Sequence, residues 1–353
     1  MSDSAACADT SVDGGHFADL VATALDAKRH LPYERCFSAG PLAFRVAFDS
    51  RDLSTAYTRA VKPGSALPEW SIDVVTGSNE HLAALVPYPV ERGRAFGAGH
   101  YFAMWHPDEA PVLYLASIQG QRGLIWLPKG RAPAWELSRP FCPLIQAFLS
   151  STPWTVVHAA SVSLCGRSLL LAGPGRAGKS TAALSCALAG WDYAGDDYVC
   201  AQIETGAILP LYSSARLRTD MAQPLERLLP TSVGISVDGI EQRHELRLAE
   251  FLGEEKVKGG TLKAILLPRR TGAIQPSFSP ARPADVLHAL FRTTMLGISG
   301  SLGNVAMKLS KLATFAPATF VDTGTQPLAI PDALAAFLDR STSNKLEWPR
   351  ERG

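Results

Sequence analysis

The chain has 353 residues, 46% hydrophobic and 19% charged, enough apolar material for one large buried core or two moderate ones. Its 34 Lys and Arg nearly balance 33 Asp and Glu, so no overall field recruits nucleic acid or an anionic membrane, and a charged partner must be met locally. The six cysteines, Cys7, Cys36, Cys142, Cys165, Cys186 and Cys200, include no Cys-x-x-Cys pair and no zinc-type spacing to histidine, which fits reduced thiols in a cytoplasmic protein.

Residues 1–16, MSDSAACADTSVDGGH, are polar, lack the apolar segment of a secretory signal and read as a disordered tail. No apolar run approaches the roughly 18 residues that a membrane span needs. HFADLVATALDAKR, residues 16–29, has helical periodicity. From Cys36 to Leu137 the short apolar segments PLAFRVAF, WSIDVVTG, HLAALVPYPV, APVLYLASI and RGLIWLPKG alternate with turn residues. They predict an antiparallel sheet of five or more strands, the body of a strand-rich α+β domain over residues 17–150. In HYFAMWH, His100, Trp105 and His106 read as half-buried packing. RPFCPLIQAFLSS, residues 139–151, is predicted as a helix with Pro143 in its first turn, and a domain boundary is placed at 140–153. No long linker follows, so the front domain either packs against the next one or is extra sheet built onto it.

The next segment carries the chemistry. Gly173-Pro174-Gly175-Arg176-Ala177-Gly178-Lys179-Ser180 fills the pattern G-x-x-x-x-G-K-[ST], after the apolar run Ser168–Ala172 and before the helix-forming run Thr181–Ala189. That context is the one the motif requires. The glycines let successive N–H groups turn inward toward phosphate oxygens, and the helix adds the positive end of its dipole. Lys179 supplies a mobile charge, and the Ser180 hydroxyl is placed for Mg2+, which takes few protein ligands beside nucleotide phosphates. Gly195-Asp196-Asp197 follows the short strand-like Trp191–Ala194. Adjacent side chains alternate across a strand, so of Asp196 and Asp197 one carboxylate can face a metal, for which Asp196 is a candidate ligand, and the other a substrate, unless the segment is a solvated turn.

Farther on, ARLRT (215–219) puts Arg216 and Arg218 on one strand face, suited to phosphate or carboxylate. GEEKVKGGTLK (253–263) reads either as a plain solvated hairpin, the favoured reading, or as a mobile loop that folds over the nucleotide or acceptor with Lys256 or Lys258 reaching transferred phosphate. Glu204 and Asp220 are candidate second carboxylates for the metal, and their spacing selects neither. A strand at 264–267, a polar loop, helices at 283–295 and 305–315, a strand at 318–321 and a helix at 331–340 complete a catalytic domain over 151–341, with a tail at 342–353. The alternation predicts an α/β sheet with helices on both faces.

His158 in VVHAASVSL, the phosphate loop and the Gly-Asp-Asp element resemble, in order and spacing, the HPr kinase/phosphorylase catalytic domain, whose nucleotide fold is similar to that of phosphoenolpyruvate carboxykinase. The resemblance is good over about residues 154–220. It implies a mixed-sheet P-loop kinase core using ATP and Mg2+, with Asp197 taking the proton from an acceptor serine. It further implies His158 near the phosphates, Lys179 in contact with them, Ser180 on the metal, and a homo-oligomer. The family's Glu-x-Arg-Gly-Leu-Gly signature is missing, its nearest echo being Glu245-Leu246-Arg247, which points to a different acceptor. Kinases of similar build tailor ribosomally made peptides, including lasso peptides, so a serine on such a precursor is the leading substrate. The competing readings are a nucleotide-sensing regulatory protein without phosphoryl transfer and a kinase for a small-molecule hydroxyl.

Overall fold

The computed structural model describes residues 14–64, 67–86, 95–218, 234–238, 241–297 and 302–342. The first helix, α1 (Gly14–Asp26), takes in the last three residues of the expected tail and turns Phe17, Val21 and Leu25 toward the core. Strands β1 (Tyr33–Ala39) and β2 (Leu42–Phe48) form a hairpin closed at Gly40, whose φ of +57° favours glycine and whose backbone faces Cys200 at close range. Then come α2 (Arg51–Tyr57), β3 (Lys62–Pro63), β4 (Trp70–Thr76), α3 (Glu80–Ala83), β5 (Ala95–Ala98), β6 (Tyr101–His106), β7 (Val112–Ser117) and β8 (Arg122–Leu127).

These strands make one eight-stranded sheet in the order β3-β1-β2-β4-β8-β7-β6-β5. It is mixed, not antiparallel as the turn pattern led us to expect: β2 pairs with β4, and β4 with β8, in parallel. Segment 49–69, which carries α2, is long enough for the crossover that parallel pairing requires. The expected strand HLAALVPYPV instead opens with α3, because the Asn79 side chain accepts from Leu82 N and caps a helical turn; its residues 87–90 lie outside the described ones. Alternation along β7 sends Leu113 and Leu115 to the α1 side, and Val112, Tyr114 and Ala116 to the side covered by α5 (Cys142–Phe148).

A short helix, α4 (Ala134–Ser138), which the sequence reading missed, precedes α5, and one 3-10 turn follows it. The division expected at 140–153 falls on α5. There one continuous core joins Phe44, Ile72 and Phe148 to Val156, Tyr198 and Tyr212.

The second part runs β9 (Trp154–Val157), β10 (Ala160–Leu164), β11 (Arg167–Leu171), α6 (Lys179–Leu188), β12 (Asp192–Gly195), β13 (Val199–Gln202), β14 (Ile208–Pro210), β15 (Ser214–Arg218), β16 (Gly234–Asp238), β17 (Glu241–Arg247), α7 (Leu248–Leu252), β18 (Thr261–Arg269), β19 (Ser277–Pro280), α8 (Pro283–Gly297), α9 (Leu302–Phe315), β20 (Ala318–Asp322) and α10 (Ile330–Thr342). Its six-stranded sheet has the order β12-β10-β11-β18-β20-β19. Helices α6 and α10 cover one face, and α8 and α9 the other. The fold is mixed α/β. Strand β19 lies in what reads as a polar loop, since SFSP offers only Phe278 to the core.

Strand direction positions the site. β10 is antiparallel to both β11 and β12, while β18 and β20 run parallel to β11. The C-terminal ends of β12, β11, β18 and β20 therefore open on one edge, the edge where open α/β sheets bind ligands. Among the described residues no helix is long and apolar enough to cross a membrane.

Candidate functional site

The loop 173–178 leaves β11 and turns through Gly173 (φ 156°), Arg176 (φ 68°) and Gly178 (φ 104°) into α6. A methyl group added at Gly178 would sit 3.3 Å from Thr323 Oγ1, while Gly175 faces open space. The helix is anchored by burial of Ala182, Ala183, Leu184, Cys186 and Ala187, which fixes the direction of its N-terminus. Lys179 is 7% exposed, and its Nζ donates to the carbonyls of Gly173 (2.8 Å) and Pro174 (3.1 Å). Burial lowers its pKa, against the charges of Asp197 and Asp196. The ammonium thus closes the loop on itself and sits where it can exchange two carbonyls for phosphate oxygens.

The two aspartates beyond β12 diverge. Asp196 is 5% exposed, its Oδ2 accepts from Arg216 N at 3.0 Å, and the Ser180 hydroxyl lies within hydrogen-bonding reach of its carboxyl. Burial, and next the charge of Asp197, push its pKa up to about 6. A hard cation would be welcome there: it restores the charge that burial disfavours, and one hydroxyl plus one carboxylate is a donor set of the kind Mg2+ uses. Among the described residues no group of three or more His, Cys, Asp and Glu could hold a metal, so such an ion depends on Ser180, Asp196 and the nucleotide's own oxygens.

Asp197 has both oxygens engaged. Oδ1 lies 2.6 Å from His158 Nε2, and Oδ2 accepts from Arg139 at 2.9 Å. Burial alone would raise its pKa, but Arg139, His158 and Arg216 together hold it well below the usual carboxylate range. His158 follows β9; its backbone N–H donates to Thr294 Oγ1 on α8, its ring packs on Tyr198, and its Nδ1 is buried without a hydrogen-bond partner among the described residues. The ring is therefore held, with Nε2 aimed at the carboxylate.

Arg139 is the site residue that sequence reasoning missed. It ends α4, just before Pro140, where a helix cannot easily continue. The corner behind it is rigid. Fully buried Glu136 accepts from the Tyr114 hydroxyl on β7 and from Phe141 N, and burial pushes its pKa up to about 7. Phe141, at φ 64°, drives its ring between Tyr57 and Phe44. The end of α4, anchored on the front sheet through Glu136 and Tyr114, thus supplies the guanidinium that pairs with Asp197. The sequence reading starts a helix at Arg139 and gives that residue no partner.

Of the other candidates, Arg216 is brought to the aspartates: it lines a cavity of about 10 Å³ with Arg139, Asp196, Asp197 and Tyr198. Arg218 lies on β15 opposite Arg243 of β17, and the Glu245–Arg247 echo runs along the same pairing, with Arg216 opposite Glu245. Lys256 and Lys258 are not brought to the loop. Both Nζ atoms lie 3.6 Å from Asp192 at the start of β12, and Lys256 donates to Gly190 O. That places them at the other end of α6, about 15 Å along the helix from Lys179; the buried Asp192 side chain is the nearer attraction. Glu204 is in an exposed turn, and Asp220 lies outside the described residues. Trp105 and His106 pack on Trp126 and Trp135 in the front sheet.

No protein-family model matches the chain, and no curated protein matches it. Among solved structures, one match is the HPr(Ser) kinase/phosphatase from Coxiella burnetii, 13% identical, covering 55% of this chain and 99% of that chain with a TM-score of 0.28.

Proposed function

We propose that the protein is an ATP-dependent kinase that transfers the γ-phosphate to a serine hydroxyl of a peptide or protein, with a ribosomally made precursor of the lasso class as the leading acceptor. One observation carries the reading: a phosphate loop opens on the same sheet edge as two aspartates that diverge, Asp196 to the loop's Ser180 and Asp197 to His158 and Arg139. Phosphoryl transfer needs positioning, charge neutralisation and one group to orient the attacking hydroxyl, and this chain has a residue for each.

When bound, ATP supplies the phosphoryl group and Mg2+ neutralises its charge, with Ser180 and Asp196 as the residues that would hold the ion. The loop amides and the α6 N-terminus bind phosphate oxygens, and Lys179 releases its two carbonyls to join them. Asp197 keeps lone pairs beyond those given to His158 and Arg139, and with one of them accepts the acceptor hydroxyl. Paired with a guanidinium it is a weak base. Its work is to aim the hydroxyl oxygen and to take the proton late, as a loose transition state closes. Arg139 and His158 fix its rotamer. In this reading the partner is a peptide and not nucleic acid or membrane, the setting is cytoplasmic, and the chain acts as a homo-oligomer.

The nucleotide-sensing alternative is favoured by one feature, the engagement of both Asp197 oxygens, which would suit a purely structural carboxylate. Incubation with Mg2+ and ATP and a peptide encoded beside the gene, read by intact mass, separates the two. A single phosphate gain on the peptide's serine supports the kinase. Tight ATP binding with no phosphorylated product from that peptide or a panel of hydroxylated metabolites supports the sensor.

A further inference from the structure

The aspartates leave the sheet edge at β12, on one side of the phosphate loop, so the reacting end of a bound nucleotide faces that side. Its nucleoside must lead away, toward the ends of β18 and β20. Two loops wait there. The chain after β20 passes directly behind the phosphate loop, with Thr323 against Gly178, and Thr323 N donates to Arg269 O at the end of β18. The two loops are fitted to each other: Thr325 N donates to Ile274 O, and Gly324, at φ +67°, leaves no room for a side chain, since a Cβ would lie 2.7 Å from Ile274 O. The 3-10 turn Pro327–Ala329 then packs on α6, the helix that begins at Lys179.

On this fitted surface Gln275 Nε2 donates to Gln326 Oε1 at 3.3 Å, and both amides are exposed. In sequence the pair is flanked by Ile274 and Leu328, which are 63% and 59% exposed. The two exposed aliphatic side chains and the exposed amide pair put apolar and polar groups on the same two loops. A flat heterocycle asks for this combination: apolar contact for its faces and groups that both donate and accept for its rim.

The geometry points to these two loops as the nucleobase subsite, with Ile274 and Leu328 against the faces of a purine and Gln275 and Gln326 at its edge. The assignment rests on the phosphate-binding reading above, and goes beyond it in placing the base.

Calorimetry with the full chain, comparing Mg-ATP with inorganic tripolyphosphate, tests it. In the double variant Ile274→Ser, Leu328→Ser the affinity for ATP should fall about tenfold while that for tripolyphosphate stays unchanged; the unchanged tripolyphosphate signal also certifies that the loop is folded. If both affinities stay unchanged, the base lies elsewhere and the assignment is overturned. If both fall together, the loops shape the phosphate loop instead, and the assignment is equally overturned. A wild-type chain that binds tripolyphosphate as tightly as ATP contradicts the base subsite alone, whereas one that binds neither contradicts the phosphate site itself.

Discussion

The phosphate loop and the corner at Glu136–Phe141 meet around Asp197 but are built on opposite terms. The loop is glycine-rich, opens to solvent at Gly175, and is held by a lysine whose two hydrogen bonds are exchangeable. The corner is closed: a fully buried acid, the Tyr114 hydroxyl, a left-handed Phe141 and an aromatic cluster leave Arg139 one direction in which to point. The difference teaches which part receives and which part aims. A receptacle must give up its contacts when the ligand arrives, while an aiming device must keep them.

The contrast can be broken at either end. The largest effect belongs to the loop: Lys179→Ala should weaken ATP binding and cut turnover by about a hundredfold or more, read by calorimetry and phosphate release. At the corner, Arg139→Met should leave ATP affinity within about twofold but lower turnover by roughly tenfold to a hundredfold, the size of effect expected from a misplaced catalytic group. Arg139→Lys should recover part of it, because a point charge restores the ion pair without the planar fork. A loss of ATP affinity in Arg139→Met would make Arg139 part of the receptacle.

Glu136 offers a pH test. Its folded pKa of about 7 lies above the ordinary 4.5, so the proton is bound more tightly in the folded state. The stability this contributes is full below about pH 4.5 and is lost as pH rises from there through about 7, an amount on the order of 3 kcal/mol. Thermal melts of the wild type should therefore lose stability between pH 5 and pH 8 relative to Glu136→Gln, whose neutral amide keeps the shape without titrating. Parallel melting curves for the two would remove Glu136 from the account. The smallest effect is expected of Lys258→Ala. Its ammonium is mostly exposed and lies at 3.6 Å from Asp192, a weak ion pair, so turnover should stay within about twofold.

The loop was legible in the sequence because everything it does is local. Gly173 to Ser180 place their own N–H groups, and β11 and α6 flank them directly. The pairing of Asp196 and Asp197 was visible as a motif, but their side chains part at a bend just beyond β12, which ends at Gly195, and not by strand alternation. Arg139 was not, since its partner is reached only through the packing of α4 and α5 against the front sheet. The sequence could not choose between the two readings of Lys256 and Lys258, because a charged, glycine-containing segment looks alike whichever end of α6 it lies beside; both ammoniums lie 3.6 Å from Asp192. Parallel pairing of β2, β4 and β8 was hidden because alternation gives each strand's faces and not its neighbours.

The central claim is that Asp197 aims an acceptor and does not hold the nucleotide. It is tested most directly by measuring ATP affinity and peptide phosphorylation side by side in Asp197→Asn, which keeps the side chain's shape and removes its charge. Unchanged affinity with turnover reduced by about a hundredfold or more is the expected result. Phosphorylation that persists at the wild-type rate would contradict the account.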